Sequence, residues 1–226
     1  MLKAVIFDFD GTLADTIPGL CAGVNLTMEK YGYPTHTPAD ILTFINNGAR
    51  MLITRAMPAH LRNDEALISR VLADYDAFYS QTYLQGATPY AGLTDAVSAL
   101  HDRLGLCIAV LSNKQDAYVK RLTREILPQG SYQAAVGVAP GDPTKPDPRL
   151  TQKALNALGV APHECVMVGD SDIDIRTAAL AGMPCISVTW GFRSEEFLLQ
   201  HGATHLARTP DELVRVIELM KEGFKE

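Results

Sequence analysis

Ala4-Val5-Ile6-Phe7-Asp8-Phe9-Asp10-Gly11-Thr12 is the stretch on which the reading of this chain turns. A short apolar run closed by two acids and a glycine reads as a buried strand that ends in a polar turn. Runs of the same kind follow at residues 106–111, 134–138, 165–168 and 184–189, with a weaker one at 204–207. Between them, Leu93, Val97, Leu100 and Leu104 recur at helical spacing, as do Leu213, Val214, Ile217 and Met220. Leu155 and Leu158 lie on a third helical pattern that stops at Gly159. Strand–helix alternation of this kind predicts an α/β fold: a doubly wound, Rossmann-like parallel sheet with helices on both faces.

One long interruption breaks the alternation. Residues 16–87 contain no convincing strand and several helical stretches, the clearest marked by Leu67, Val71, Tyr75 and Phe78. The expectation is a helical cap domain of residues 16–87, inserted after the first strand of a core formed by residues 1–15 and 88–226. Its linkers are expected near residues 15–19 and 85–92. Residues 221–226 are expected to be a solvated helix end.

A chain of 226 residues suits such a core with one insertion, at roughly 100–200 residues per domain. Its net charge of −6 disfavours broad nucleic-acid binding but leaves a phosphorylated substrate open, because a local metal can outweigh the global charge. The four cysteines form no CxxC pair, and three sit inside apolar runs, so they are expected to be buried, reduced thiols. The N-terminal apolar run turns acidic too early for a signal peptide, and no apolar run approaches the ~18 residues of a membrane span. The expected setting is cytoplasmic, without nucleic-acid or membrane partners. The six histidines show no metal-ligand spacing and are expected to be structural or exposed.

Chemistry-bearing residues gather where strands should end. Asp8 and Asp10 close the first run, Ser112 and Asn113 follow the second, and Lys145 follows the third. Asp170 and Asp174 follow the fourth, in Gly169-Asp170-Ser171-Asp172-Ile173-Asp174. Ligands of open α/β sheets bind at the carboxyl ends of the strands, so these distant segments should converge on one crevice. Taken singly, each has a plain structural explanation: a turn for Asp8–Gly11, a helix cap for Ser112-Asn113, a solvated loop lysine for Lys145, and an acidic helix start at 170–174. Together, in this order, they point to a site. Two carboxylates ~4 Å apart repel by roughly 4 kcal/mol at an effective dielectric of 20, more than Lys145 alone can offset. An all-oxygen site with open positions suits Mg²⁺, which also binds substrate phosphate. An EF-hand is excluded, because Ile175 stands where its loop requires glycine and Ala181 where it requires glutamate. Neither phosphate-cradling glycine loop, G-x-x-x-x-G-K-[ST] or G-x-G-x-x-G, is present.

In this order the motifs resemble the haloacid dehalogenase superfamily over nearly the whole chain, including the helical insertion. The resemblance implies that Asp8 is a nucleophile forming an aspartyl-phosphate, and that Asp10 acts as general acid and then as base. It implies Mg²⁺ held by the Asp8 side chain, the Asp10 backbone carbonyl and the Asp170 side chain, with Asp174 orienting Lys145 or the waters around the ion. Ser112, Asn113 and Lys145 would hold phosphoryl oxygens beside Gly11 and Thr12. Asp10 favours phosphate over halide chemistry, since the dehalogenases lack that acid.

Within the superfamily the chain looks most like phosphoglycolate phosphatases. The segment Asn47-Gly48-Ala49-Arg50-Met51-Leu52 resembles their substrate loop, and Val188-Thr189-Trp190-Gly191-Phe192-Arg193 resembles the segment after their last core strand. Asn47, Gly48 and Arg50 are thus candidate substrate contacts, with Arg50 suited to a substrate carboxylate. Asn46 departs from the glycine many relatives place there. The expected partner is a small phosphorylated metabolite, and the expected assembly is a monomer or homodimer. Alternatives that share the core are a sugar-phosphate phosphatase, a pyrophosphatase, a phosphomutase, or a phosphonate hydrolase using Lys30. A more distant alternative is a non-catalytic binding module.

Overall fold

The computed structural model describes residues 1–223. The chain divides into two compact units, Met1–Ala14 with Pro89–Glu226, and Asp15–Thr88. It opens with β1 (Ala4–Phe7) and crosses to the second unit at β2 (Ala14–Asp15). There it forms α1 (Ile17–Lys30), α2 (Pro38–Phe44), α3 (Gly48–Ala56) and α4 (Glu65–Thr82), and it returns at β3 (Thr88–Pro89). The first unit continues with α5 (Leu93–Ser98), extended by a π-helical turn at Ala99–Arg103, then β4 (Cys107–Gln115), α6 (Asp116–Ile126) and β5 (Ala134–Val138). α7 (Pro148–Leu158), β6 (Cys165–Gly169), α8 (Asp172–Ala181), β7 (Cys185–Val188), α9 (Glu195–Gln200), β8 (His205–Ala207) and α10 (Pro210–Gly223) complete it. Of the segment expected as a solvated helix end, residues 224–226 lie outside the described residues.

The first unit is built on a six-stranded sheet in the order β5-β4-β1-β6-β7-β8, every neighbouring pair parallel. Side chains of a strand alternate between faces. Ala4, Ile6, Ala109, Leu111, Cys165 and Met167 join Leu150, Ala154 and Leu155 of α7 and Ala178 of α8 in one core. Val5, Phe7, Ile108, Val110, Val166 and Val168 point to the other face and are equally buried, so the sheet is covered on both sides. A buried aliphatic side chain of this size contributes about 1.5–3 kcal/mol, which makes these strands the stable frame of the unit. Helix ends follow local chemistry. Asp147 caps α7 by accepting from the Arg149 amide, Pro148 opens the helix, and Gly159 closes it in the left-handed conformation.

The chain winds outward from β1 through β4 to β5, then returns to the opposite side of β1 for β6, β7 and β8. Strand order therefore reverses around β1, and the carboxyl ends of β1, β4 and β6 border the crevice where such sheets bind ligands.

The helical unit buries Ile68, Val71, Tyr75 and Tyr79 of α4 with Val24 and Met28 of α1. The expected stripe on α4 is shifted: Leu67 and Phe78 are half-buried, and the stacked Tyr75 and Tyr79 rings, 5.3 Å apart, take the inner face. Both stripes have helical spacing, so periodicity alone could not separate them. Among the described residues no helix is long and apolar enough to cross a membrane.

Candidate active site

β1 delivers Asp8 at its carboxyl end. Gly11, with φ +83°, turns the chain back so closely that a Cβ there would strike the Asp170 carboxylate. β6 delivers Asp170. Ser171 then opens α8, and its hydroxyl and amide both donate to Asp174 Oδ2, at 2.6 and 3.2 Å. The acidic helix start read from the sequence is therefore real, and the same turn carries Asp174 inward, fully buried.

Lys145 Nζ lies 2.8 Å from Asp8 Oδ1 and 2.7 Å from Asp174 Oδ1, with its side chain only 2% exposed. Asp8, Asp170 and Asp174 each present an oxygen within 4.8 Å of the others. Three buried carboxylates thus face one ammonium. Burial, followed by the charge of Asp174, raises Asp8 from 3.8 to about 7 against the opposing pull of Lys145. Asp170 is raised well above its ordinary value by burial and by the charges of Asp174 and Asp8. Burial works against the charge of Lys145, but Asp174 and Asp8 outweigh it and hold the ammonium above its ordinary range. The excess negative charge is what a divalent cation would offset. Asp8, Asp170 and Asp174 lie close enough to share one, and the two Asp174 oxygens also accept from Lys145 and Ser171.

The remaining candidates support these four. Ser112 and Asn113, expected just beyond a strand, lie inside β4, whose register against β5 shifts between Leu111 and Gln115. Asn113 Oδ1 accepts from the Lys145 amide at 2.5 Å, and its Nδ2 donates to the Lys145 carbonyl at 3.2 Å. Both ends of its amide group thus brace the Lys145 backbone. The Ser112 hydroxyl accepts from the Lys114 amide at 3.2 Å. The Thr12 hydroxyl turns to Asp170 Oδ1 at 3.4 Å, and its carbonyl accepts from Trp190 Nε1 at 3.0 Å. The Phe192 amide donates to Asp170 Oδ2 at 2.7 Å. The segment after β7 thus folds onto the motif loops, a role the sequence resemblance marked without specifying. Asp10 pairs with Lys114, Nζ to Oδ1 3.1 Å. Lys114 is absent from the sequence-based site, although it directly follows Ser112 and Asn113 at a strand end.

Asn47, Gly48 and Arg50 belong to the helical unit. Asn46 and Gly48 both have positive φ, +82° and +81°, a conformation that asparagine tolerates better than most residues. Asn46 thus keeps the backbone that a glycine would give. Asn47 precedes α3 without capping it, because its Oδ1 accepts from Arg55 Nη2 at 2.8 Å. Arg50 pairs with Glu65 on α4, and Lys30 pairs with Asp74 at 2.7 Å. All four cysteines are free, but only Cys165 is fully buried. Burial pushes its thiol up to about 12, so it is no nucleophile near neutrality.

Residues 5–188 match the family model described as haloacid dehalogenase-like hydrolase. The chain is 35% identical over 200 residues to the phosphoglycolate phosphatase of Xanthomonas campestris pv. campestris, covering 84% of this chain and 85% of that one. It is 31% identical over 196 residues to the phosphoglycolate phosphatase of Yersinia pestis, covering 86% and 84%. A crystal structure from Lactobacillus delbrueckii subsp. bulgaricus, provisionally named a phosphoglycolate phosphatase, superposes with a TM-score of 0.86 at 34% identity, covering 95% of this chain and 98% of that one.

Proposed function

Since the chain belongs to the haloacid dehalogenase-like hydrolase family, we propose that it is a Mg²⁺-dependent phosphatase that hydrolyses small phosphomonoesters through Asp8, with 2-phosphoglycolate as its substrate. The observation that carries this reading is the clustering of Asp8, Asp170 and Asp174 at the carboxyl edge of the central strands, with Lys145 paired to Asp8 and Asp174. The substrate rests on likeness to enzymes that bear that name.

Asp8 attacks phosphorus through a carboxylate oxygen. The bond from phosphorus to the ester oxygen breaks as Asp10 gives that oxygen a proton. Asp10, now a carboxylate, takes a proton from water as the water oxygen attacks phosphorus. The bond to Asp8 then breaks and inorganic phosphate leaves. Lys145 and the Ser112 hydroxyl bind phosphoryl oxygens. Asp174 keeps Lys145 aimed at Asp8, and Asn113 fixes the lysine's backbone. The Asp8 and Asp170 carboxylates and the Asp10 carbonyl would hold Mg²⁺, which when bound supplies charge stabilisation to the transferring phosphoryl group. Residues 16–87 act as a cap that shields the reaction from bulk solvent.

The test is phosphate release from a panel of small phosphorylated metabolites with Mg²⁺, including phosphoglycolate and glucose 1-phosphate. Phosphoglycolate should be the best substrate, and Asp8→Asn should remove at least about 10⁴-fold of the activity. Wild-type protein inactive on every member of the panel, or an active Asp8→Asn, overturns the reading.

A further inference from the structure

Resting on that reading, we propose that Lys114 is the positioning residue of the acid–base group, setting the Asp10 carboxyl group for proton delivery to the leaving oxygen. Its ammonium lies 3.1 Å from Asp10 Oδ1, and its side chain is 5% exposed against 20% for Asp10. This is the second buried lysine at the site. Lys145 answers to Asp8 and Asp174, and Lys114 to Asp10. The two ammonium groups divide the acids by task, one holding the nucleophile and the other the proton carrier.

The fold makes a specific provision for Lys114. β4 advances from Leu111 to Gln115 while its partner β5 advances only from Val136 to Val138. The extra length bulges around Ser112, Asn113 and Lys114, and the Lys114 amide is tied back to the Ser112 hydroxyl at 3.2 Å. On β5, Gly137 faces this bulge. A Cβ there would stand 2.7 Å from the Lys114 carbonyl oxygen and 2.6 Å from Asp116 Cα, closer than such atoms approach. The Gly137 amide also donates to Asp116 Oδ1 at 3.1 Å, tying β5 to the residue that follows the bulge. One glycine thus leaves room for the backbone path that carries Lys114 to Asp10. A charged side chain held this far from solvent and aimed at one carboxylate is an expensive arrangement unless that carboxylate must stay in place.

The proposal makes a prediction about leaving groups. An alkoxide needs a proton to depart, whereas p-nitrophenolate does not, so misplacing Asp10 harms alkyl esters selectively. The value of kcat/KM covers the steps up to the first irreversible one and so isolates ester cleavage from the later attack of water. Lys114→Met would be compared with wild type on phosphoglycolate, ethyl phosphate and p-nitrophenyl phosphate, in the full chain with Mg²⁺. Expected is a loss of about 100-fold in kcat/KM on both alkyl esters and of less than about threefold on the aryl ester, in keeping with what general acid catalysis supplies. Lys114→Gln, which keeps a hydrogen-bond donor for Asp10, should show the same selectivity to a smaller degree, and it carries the test should the methionine variant fail to fold. An equal loss on all three esters, or none, overturns the proposal. So does a loss confined to phosphoglycolate, which would make Lys114 a ligand of the substrate carboxylate. Because wild type is assayed in parallel, an absence of turnover there counts against the phosphatase reading, whereas unchanged selectivity in an active variant counts against Lys114 alone.

Discussion

Lys145 and Arg50 both face carboxylates, in opposite surroundings. The Lys145 side chain is 2% exposed between Asp8 and Asp174, whereas Arg50 is 43% exposed against a Glu65 that is 78% exposed. In water an ion pair gains little, because solvent already stabilises both charges and holding two long side chains costs entropy. Buried, the same chemistry becomes a constraint: each charge needs a partner, and removing one strands the others. The core site is thus a set of mutually dependent charges, while those of the helical unit can exchange partners cheaply. That difference suits a rigid centre for chemistry and an adaptable surface for contacts.

The largest test of this contrast is Lys145→Met. It should destabilise the protein by about 3–5 kcal/mol, the usual result of removing one partner from a buried pair. It should also abolish measurable phosphate release. Denaturant unfolding and a phosphate assay check both, and a variant as stable as wild type would mean that the core charges are not interdependent.

The next effect is one of pH. In protein freed of metal, Asp8 is raised from 3.8 to about 7, and Asp170 is raised as well. Between those two values of Asp8 the folded state binds more protons than the unfolded state, so stability falls as pH rises through the window, on the order of a few kcal/mol. The raised value of Lys145 acts only at alkaline pH, outside it. Chelator-treated protein should therefore melt at a higher temperature at pH 5 than at pH 7.5, and Mg²⁺ should raise the melting temperature much more at pH 7.5. A flat profile, or one of opposite slope, would show that the carboxylates do not repel one another as their burial implies.

The smallest effect is expected at Arg50. Arg50→Ala should change stability by less than about 1 kcal/mol, as befits an exposed pair. It should lower turnover of phosphoglycolate relative to p-nitrophenyl phosphate several-fold, because the weak hold of Glu65 leaves the guanidinium free to meet a substrate carboxylate. An unchanged ratio removes Arg50 from the substrate contacts and leaves it as a pair on the helix surface.

The amino-acid sequence by itself determined the alternation of strands and helices, the helical interruption, and the gathering of Asp8, Asp10, Ser112, Lys145, Asp170 and Asp174 toward the carboxyl side of the sheet, though it set Ser112 beyond β4 rather than within it. These were legible because period and residue type are local properties, and because a parallel sheet sends every strand's carboxyl end to one edge. Tertiary structure alone decided which acid each lysine serves, that Asn113 braces Lys145, and that Lys114 stands on Asp10. It also decided which of two equally spaced stripes on α4 faces inward. Those outcomes depend on where a strand bulges and on how much room a facing glycine leaves, and neither is carried by the residues of one segment alone.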